Sequence, residues 1–505
     1  MPAPTGDTLR GLLAAVHDGN DDPFLLAADG TVTHTYADAA RRSAQLAHAL
    51  AAHGAAPGER VAMQVAKSAE AIMVYLACVR AGYVLLPMNI GYTADEVAYL
   101  VGDARPVVVL DDARLAELAR QADAMSTTFT DHVAAPDELA AILYTSGTTG
   151  RPKGAMLSQR NLASNSATLA ELWGFRRGDV LLHALPIFHT HGLFVATNCS
   201  IANGSPMVFL EKFDADEVVN ALPRCTVMMG VPTFYTRLLA HVGFGPDVCG
   251  AMRLFISGSA PLLASVHDEF RARTGHAILE RYGMTETSML TSNPLDGERR
   301  PGTVGFALPE VDVRVVDDDG RVASAGEVGG IEVRGPNVFG GYWGRPELTA
   351  TEFTADGWFR TGDVGMFDAE GYLHIVGRSK DLIISGGLNV YPKEIEDVID
   401  GLDGVLESAV VGVPDADFGE AVVAIVVAAP GADPEPAALR AAARERLASF
   451  KVPKRVHMVD ALPRNAMGKV EKAVLRRRFE TGDEAGDEID DESDPGTASA
   501  SGGAS

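Results

Sequence analysis

Residues 144–154 read Tyr-Thr-Ser-Gly-Thr-Thr-Gly-Arg-Pro-Lys-Gly, a run of hydroxyls and glycines closing on a lysine. The Ala-Ile-Leu of residues 141–143 predicts a strand feeding that run. Gly147 and Gly150 let backbone N–H groups approach an anion. Thr145, Ser146, Thr148 and Thr149 add donors, and Lys153 adds a point charge. That chemistry suits a polyphosphate, although the composition alone also suits a plain turn. It is not the nucleotide loop of P-loop enzymes, because no G-x-x-x-x-G-K-[ST] occurs. His189 and His191 have a spacing compatible with metal binding, but no third ligand follows nearby. Cys78, Cys199, Cys225 and Cys249 are too scattered for zinc or a disulfide framework and read as small buried hydrophobes.

The elements that must hold these residues alternate between strand and helix. Thr35 and Asp38 have capping-box spacing ahead of a helix over 39–52, and Thr93 and Glu96 repeat it. Strands are expected at 61–65 and 107–110, helices at 71–81 and 114–124. The alternation predicts an α/β architecture with largely parallel sheets. After about residue 302 the texture changes to short strands at 311–316, 330–333 and 372–376, joined by acidic or glycine turns, which predicts hairpins and a small barrel-like element. Beyond residue 377 an α+β pattern follows, with helices at 392–400 and 437–449 and strands at 406–413 and 422–428.

Length and charge bound the function. The 505 residues predict about two to four domains. A net charge of −25 argues against a nucleic-acid partner. Residues 481–505 carry eight acids and no Lys or Arg, leaving −17 for residues 1–480; this acidic tail is expected to be disordered. The longest apolar stretch, residues 421–429, falls short of the roughly 20 needed to span a bilayer. With no signal-peptide pattern at the N-terminus, no membrane partner and a cytoplasmic location are expected.

The 144–154 string resembles the phosphate loop of the adenylate-forming superfamily: acyl-CoA synthetases, peptide-synthetase adenylation domains and beetle luciferases. Further segments arrive in that superfamily's order: Gly258-Ser259-Ala260-Pro261, Tyr282-Gly283-Met284-Thr285-Glu286-Thr287, Tyr342-Trp343, Trp358 to Asp363, Gly377 to Asp381, and Pro463 to Lys469. The resemblance spans residues 140–470. It implies a large N-terminal domain over 1–379 holding the ATP and acyl sites, and a small mobile C-terminal domain over 380–480. It implies Gly258, Ser259, Ala260, Tyr282 and Gly283 around adenine, Thr285 at the α-phosphate, and Glu286 with Thr145 on Mg²⁺. Asp363 and Arg378 are implied at the ribose. Lys469 is implied as the cation that completes adenylation, Lys380 as the hinge, and Gly386 and Gly387 as the lining of the coenzyme A channel. The Gly-Lys context of Lys469 also resembles sites of lysine acetylation, which would add a lysine acetyltransferase as partner.

The acid is read from two arginines. Arg281 precedes Tyr282, and Arg237 follows the Gly-Val-Pro-Thr-Phe-Tyr-Thr of residues 230–236; both segments border the acyl pocket in the superfamily, and His189 and His191 lie on its other wall. Guanidinium groups are costly beside an alkyl chain but suit a second, non-reacting carboxylate, to which His191 could add a hydrogen bond. The combination closely resembles malonyl-CoA synthetases and implies malonate, with methylmalonate plausible. Another short acid, or an amino acid activated by a stand-alone adenylating enzyme, is the alternative. The latter usually needs an acidic residue for the ammonium and a carrier domain, and no carrier-like segment follows Lys469. A luciferase-type oxygenase would need a large aromatic-tolerant pocket, which two arginines oppose. A catalytically dead binding module is disfavoured by Glu286, Asp363, Arg378 and Lys469.

Overall fold

The computed structural model describes residues 7–145, 152–386, 388–415, 417–465 and 468–480. Ser146 to Gly150, Gly387 and the acidic tail lie outside these residues. The chain forms two compact units. The first takes in the chain up to Lys380 together with Arg464–Lys469; the second comprises Asp381–Pro463 and the chain from Val470.

Two mixed sheets build most of the first unit. The larger has nine strands in the order Phe306–Ala307, Ser288–Ser292, Leu279–Met284, Leu254–Ser257, Val227–Gly230, Leu181–His183, Met207–Phe209, Pro23–Leu26 and Val32–Thr35. Its six central strands run parallel, and antiparallel strands close both ends. The second sheet orders Val108–Leu110, Arg60–Met63, Val84–Pro87, Leu139–Thr145 and Lys153–Ser158, parallel except for the last pair. Parallel strands buried on both faces need continuous apolar runs, and the Val-Leu-Leu-Pro of Val84–Pro87 is buried at every position. The helix Ala69–Ala81 is apolar nearly all round and almost wholly buried, as expected of a core helix.

Both anticipated capping boxes form. Thr35 Oγ1 accepts from the Asp38 amide while Asp38 accepts from the Thr35 amide, starting the helix Tyr36–Ala52; Thr93 and Glu96 do the same for Ala94–Ala104. The barrel-like element expected after residue 302 takes the form of a four-stranded antiparallel sheet, Asp312–Val316, Gly329–Arg334, Phe359–Phe367 and Leu373–Arg378. Four strands are too few to wrap around a core, so the sheet stays open.

The second unit is built on the long ribbon Val405–Asp415 and Gly419–Ala428, paired antiparallel along its length. Arg455–Met458 runs parallel beside Gly419–Ala428, and the hairpin Ile383–Ser385 and Leu388–Val390 joins the same strand at Gly419. Both faces of the ribbon are apolar. Val410, Val422, Ala424 and Val426 join one core with Ile395 and Ile399 of the helix Pro392–Asp400. Ala409, Val411, Val423 and Ile425 join another with Leu475 and Phe479 of Lys472–Glu480. Among the described residues no helix is long and apolar enough to cross a membrane.

Candidate active site

Several of the chemistry-bearing residues lie at the carboxyl ends of the parallel strands of the large sheet, where open α/β sheets offer a crevice for ligands. Leu254–Ser257 delivers Gly258 and Ser259, Val227–Gly230 delivers the helix Pro232–Ala240, and Leu181–His183 leads toward His189 and His191. Ser259 adopts a left-handed backbone, φ 73°, a strained conformation for a side-chain-bearing residue that is characteristic of functional turns. Its hydroxyl lies 3.3 Å from His191 Nδ1.

Glu286 stands in the tight turn Thr285–Thr287 between the antiparallel strands Leu279–Met284 and Ser288–Ser292, not at an exposed helix start. It is only 4% exposed. Its Oε1 accepts from the Tyr342 hydroxyl at 3.0 Å and from Thr145 Oγ1 at 3.4 Å. Gly283 is required in the strand beside it, since a Cβ there would meet Ser288 O at 2.0 Å. Lys153 lies over the Tyr342 ring at 4.0 Å and pairs with Glu352 at 3.2 Å. Thr285 is half-buried beside them. Tyr342 carries no assigned role from its spacing; its position as a donor to Glu286 emerges only in three dimensions.

A second pair joins across the four-stranded sheet. Arg378 Nε lies 2.8 Å from Asp363 Oδ1, and the two residues are register partners. The Tyr282 hydroxyl donates to Asp363 Oδ2. Burial, with the Asp363 charge beside it, drives the Tyr282 phenol far above its ordinary range, so it remains a donor. Thr361 Oγ1 accepts from the Asp363 amide and fixes the carboxylate's approach.

The third group is cationic. Arg281 is 3% exposed, and its Nε and Nη2 are buried without a hydrogen-bond partner among the described residues. Burial lowers its pKa to about 9. Lys469 belongs to the first unit with its loop: Asn465 Oδ1 accepts from the Lys469 amide, and the neighbouring Gly468 lies against Thr233. Lys469 is solvent-exposed, yet desolvation, and then the Arg378 charge, lower its pKa to about 8 against the pull of Asp363 and Glu286. His189, pushed down to about 3 by burial and then by Lys469 and Arg281, stays neutral, as does His191. The Nε2 of His191 and the Nδ1 of His189 are buried without partners.

Arg237 is not brought into this group. It is exposed on Pro232–Ala240 and lines a shallow groove with Phe213, Asp214, Ala215 and His241. The helical repeat explains this: Phe234, Tyr235, Leu238 and Leu239 take the buried face. Arg237 nevertheless sits one turn beyond Thr233, the neighbour of Gly468. Ala260 is half-buried behind Ser259, Lys380 is exposed in the turn Ser379–Asp381, and Gly386 is exposed in its hairpin at φ 58°. Among the described residues no three His, Cys, Asp or Glu side chains converge as a metal site.

The model of the AMP-binding enzyme family matches residues 13–343, and that of the AMP-binding enzyme C-terminal domain matches residues 394–469. An ATP-bound crystal structure of MatB from Rhodopseudomonas palustris superposes with a TM-score of 0.90 at 51% identity, covering 94% of this chain and 99% of that one. A feruloyl-CoA synthase from an Amycolatopsis species is 37% identical over 467 residues, 89% of this chain and 95% of its own. A mitochondrial malonate–CoA ligase from Mus musculus is 39% identical over 386 residues, 69% of this chain and 66% of its own.

Proposed function

Since the chain belongs to the AMP-binding enzyme family, we propose that it is an ATP-dependent, AMP-forming ligase joining malonate to coenzyme A through malonyl-AMP. The observation that carries the choice of acid is Arg281, a buried guanidinium with two unpartnered nitrogens. A cation in that state is costly until an anion completes it. A dicarboxylate does so with the carboxylate that does not react, and methylmalonate, one methyl larger, falls under the same reading.

In the first half-reaction a malonate carboxylate oxygen attacks the α-phosphorus of ATP. A new O–P bond forms, and the bond to the β-phosphate oxygen breaks, releasing pyrophosphate. Lys469 holds its proton between the attacking carboxylate and the α-phosphate, and Thr285 contacts the same phosphate. Thr145 and Lys153, with residues 146–150, bind the outer phosphates. Tyr282 offers its ring to adenine beside Gly258, Ser259, Ala260 and Gly283, and Asp363 with Arg378 binds the ribose hydroxyls.

Glu286, a lone buried carboxylate beside the Thr145 hydroxyl, fits Mg²⁺, which commonly uses one or two carboxylates plus substrate phosphates. When bound, the ion neutralises phosphate charge. In the second half-reaction the thiol of coenzyme A gives up its proton to solvent and its sulfur attacks the malonyl carbonyl; an S–C bond forms, the carbonyl C–O bond to the phosphate breaks, and AMP leaves. Lys380 is the pivot in this reading, and Gly386 with Gly387 lines the path of the pantetheine arm.

The test is an acid panel (malonate, methylmalonate, butyrate, ferulate and an amino acid) with ATP and coenzyme A, reading AMP and product mass. Malonyl-CoA with AMP and pyrophosphate is expected. ADP with phosphate, or preference for a monocarboxylate, overturns the reading.

A further inference from the structure

Lys67 is a lysine in the wrong place for a surface charge. It lies in the turn between the strand Arg60–Met63 and the helix Ala69–Ala81, is only 9% exposed, and forms no ion pair with any described acid. Its Nζ donates to His183 O at 2.7 Å and sits 2.9 Å from His183 Nδ1, with the Phe209 ring 4.2 Å away. Burying an amine without a carboxylate is costly, so the fold retains it against its own stability.

What it holds is His183, the last residue of a strand that runs to the site. Nε2 faces the Gly192 carbonyl, which can only accept, so the imidazole proton sits on Nε2 and Nδ1 accepts from Lys67 Nζ. Nε2 lies 2.9 Å from Gly192 O and 3.1 Å from Thr197 Oγ1, and the Thr197 hydroxyl also donates to Gly192 O at 3.0 Å. Gly192 directly follows His191 in a wide helical turn, His191–Thr197, whose hydrogen bonds span five residues. Such turns are uncommon and recur at functional positions. A Cβ on residue 192 would strike Pro186 O at 2.0 Å, so this backbone has no room to relax. The next side chain out is His191, with Nδ1 against Ser259 and Nε2 buried and unpartnered beside Arg281.

We propose that Lys67 and His183 are positioning residues: by fixing the His183 tautomer they pin the Gly192 carbonyl and so aim the His191 imidazole at the distal carboxylate of the acid. Lys67 touches neither acid nor nucleotide; it acts through His183. The proposal rests on the dicarboxylate reading above and narrows it, since it makes acid selection depend on a residue outside the pocket.

The test compares full-length parent with Lys67→Met, His183→Leu and His183→Gln. The glutamine amide can accept from Lys67 and donate to Gly192, so it keeps both bonds that leucine loses. Lys67→Met and His183→Leu should raise the malonate KM about ten- to a hundredfold, the scale of leaving a buried donor or acceptor unsatisfied, with the ATP KM within about twofold. His183→Gln should stay within about threefold of parent. ¹⁵N imidazole spectra should show His183 protonated on Nε2 in the parent, with that tautomer no longer dominant in Lys67→Met. If Lys67→Met does not fold, the leucine and glutamine pair decides. Equal damage from leucine and glutamine, parallel rises in both KM values, or an Nδ1-protonated parent overturns the proposal. If the parent prefers another acid, the malonate reading fails by itself, and the imidazole spectra, which need no substrate, still judge the relay.

Discussion

The Arg281 guanidinium occupies the space that a side chain on residue 258 would need: a Cβ built there lies 2.4 Å from Nη1 and 2.5 Å from Cζ. The glycine proposed for the nucleotide site and the arginine proposed for the acid are therefore one fitted pair. Gly258→Ala should displace the guanidinium and raise the malonate KM about ten- to a hundredfold, the scale of effect expected from a misplacement near 1 Å. Steady-state pyrophosphate release checks this. An unchanged malonate KM would mean that Arg281 does not meet the acid.

Arg281→Ala tests the pairing from the other side. Removing one partner of a desolvated charge pair costs roughly 3–5 kcal/mol, about a few hundredfold or more in kcat/KM for malonate. Butyrate should lose far less, because its methyl end never needed the charge. Equal losses for the two acids would remove the basis for a dicarboxylate enzyme.

In the proposed reaction Lys469 acts as an ammonium, and desolvation pulls its pKa down to about 8 from the usual lysine value. Adenylation kcat/KM should therefore fall as pH rises through about 8, since that parameter reports the free enzyme. Lys469→Ala, or the charge-neutral Lys469→Gln, should reduce adenylation on the order of 10²–10³-fold. Both should spare the reaction of supplied malonyl-AMP with coenzyme A. Loss of both half-reactions would show a broader role.

In the second unit, burial pushes the Asp400 carboxyl up to about 7, with Glu396 and Asp397 adding to the rise and Ser408 and Lys393 opposing it. A folded pKa above the unfolded one means stability is fully present below the unfolded value and lost as pH climbs through about 7. Asp400→Asn removes that loss. Its melting temperature should exceed the parent's by about 4 °C near pH 8.5, with the gap shrinking as pH falls and closing near the ordinary carboxylate pKa of about 4. A constant gap would rule out titration of Asp400 as the cause.

Local features of this fold were legible in the chain. Thr35 with Asp38 and Thr93 with Glu96 carry their helix starts within four residues, and the helix Pro392–Asp400 coincides with its expected bounds. Hydrogen bonding decides such features before tertiary packing enters. Long-range features were not legible. Tyr342 reaches Glu286 across 56 residues and Lys67 reaches His183 across 116, and no periodicity encodes either meeting. Arg281 was visible as an arginine in an unusual place, but its burial was not. The exposure of Arg237 follows from which face of a nine-residue helix meets the sheet, and apolar residues at 234, 235, 238 and 239 held that signal without being used.

The ribbon Val405–Asp415 and Gly419–Ala428 is apolar on both faces, and this has a cost in fidelity. Where one face is wet, a one-residue slip of a strand exposes its greasy side and is rejected at once. Here a slip would exchange one set of valines for another and lose little burial. Alignment must therefore come from the ends, where Asp415 accepts from the amides of residues 417 and 418 and Gly419 turns the chain at φ 77°. A few polar atoms at that bend act as the proofreading step for two otherwise indifferent strands.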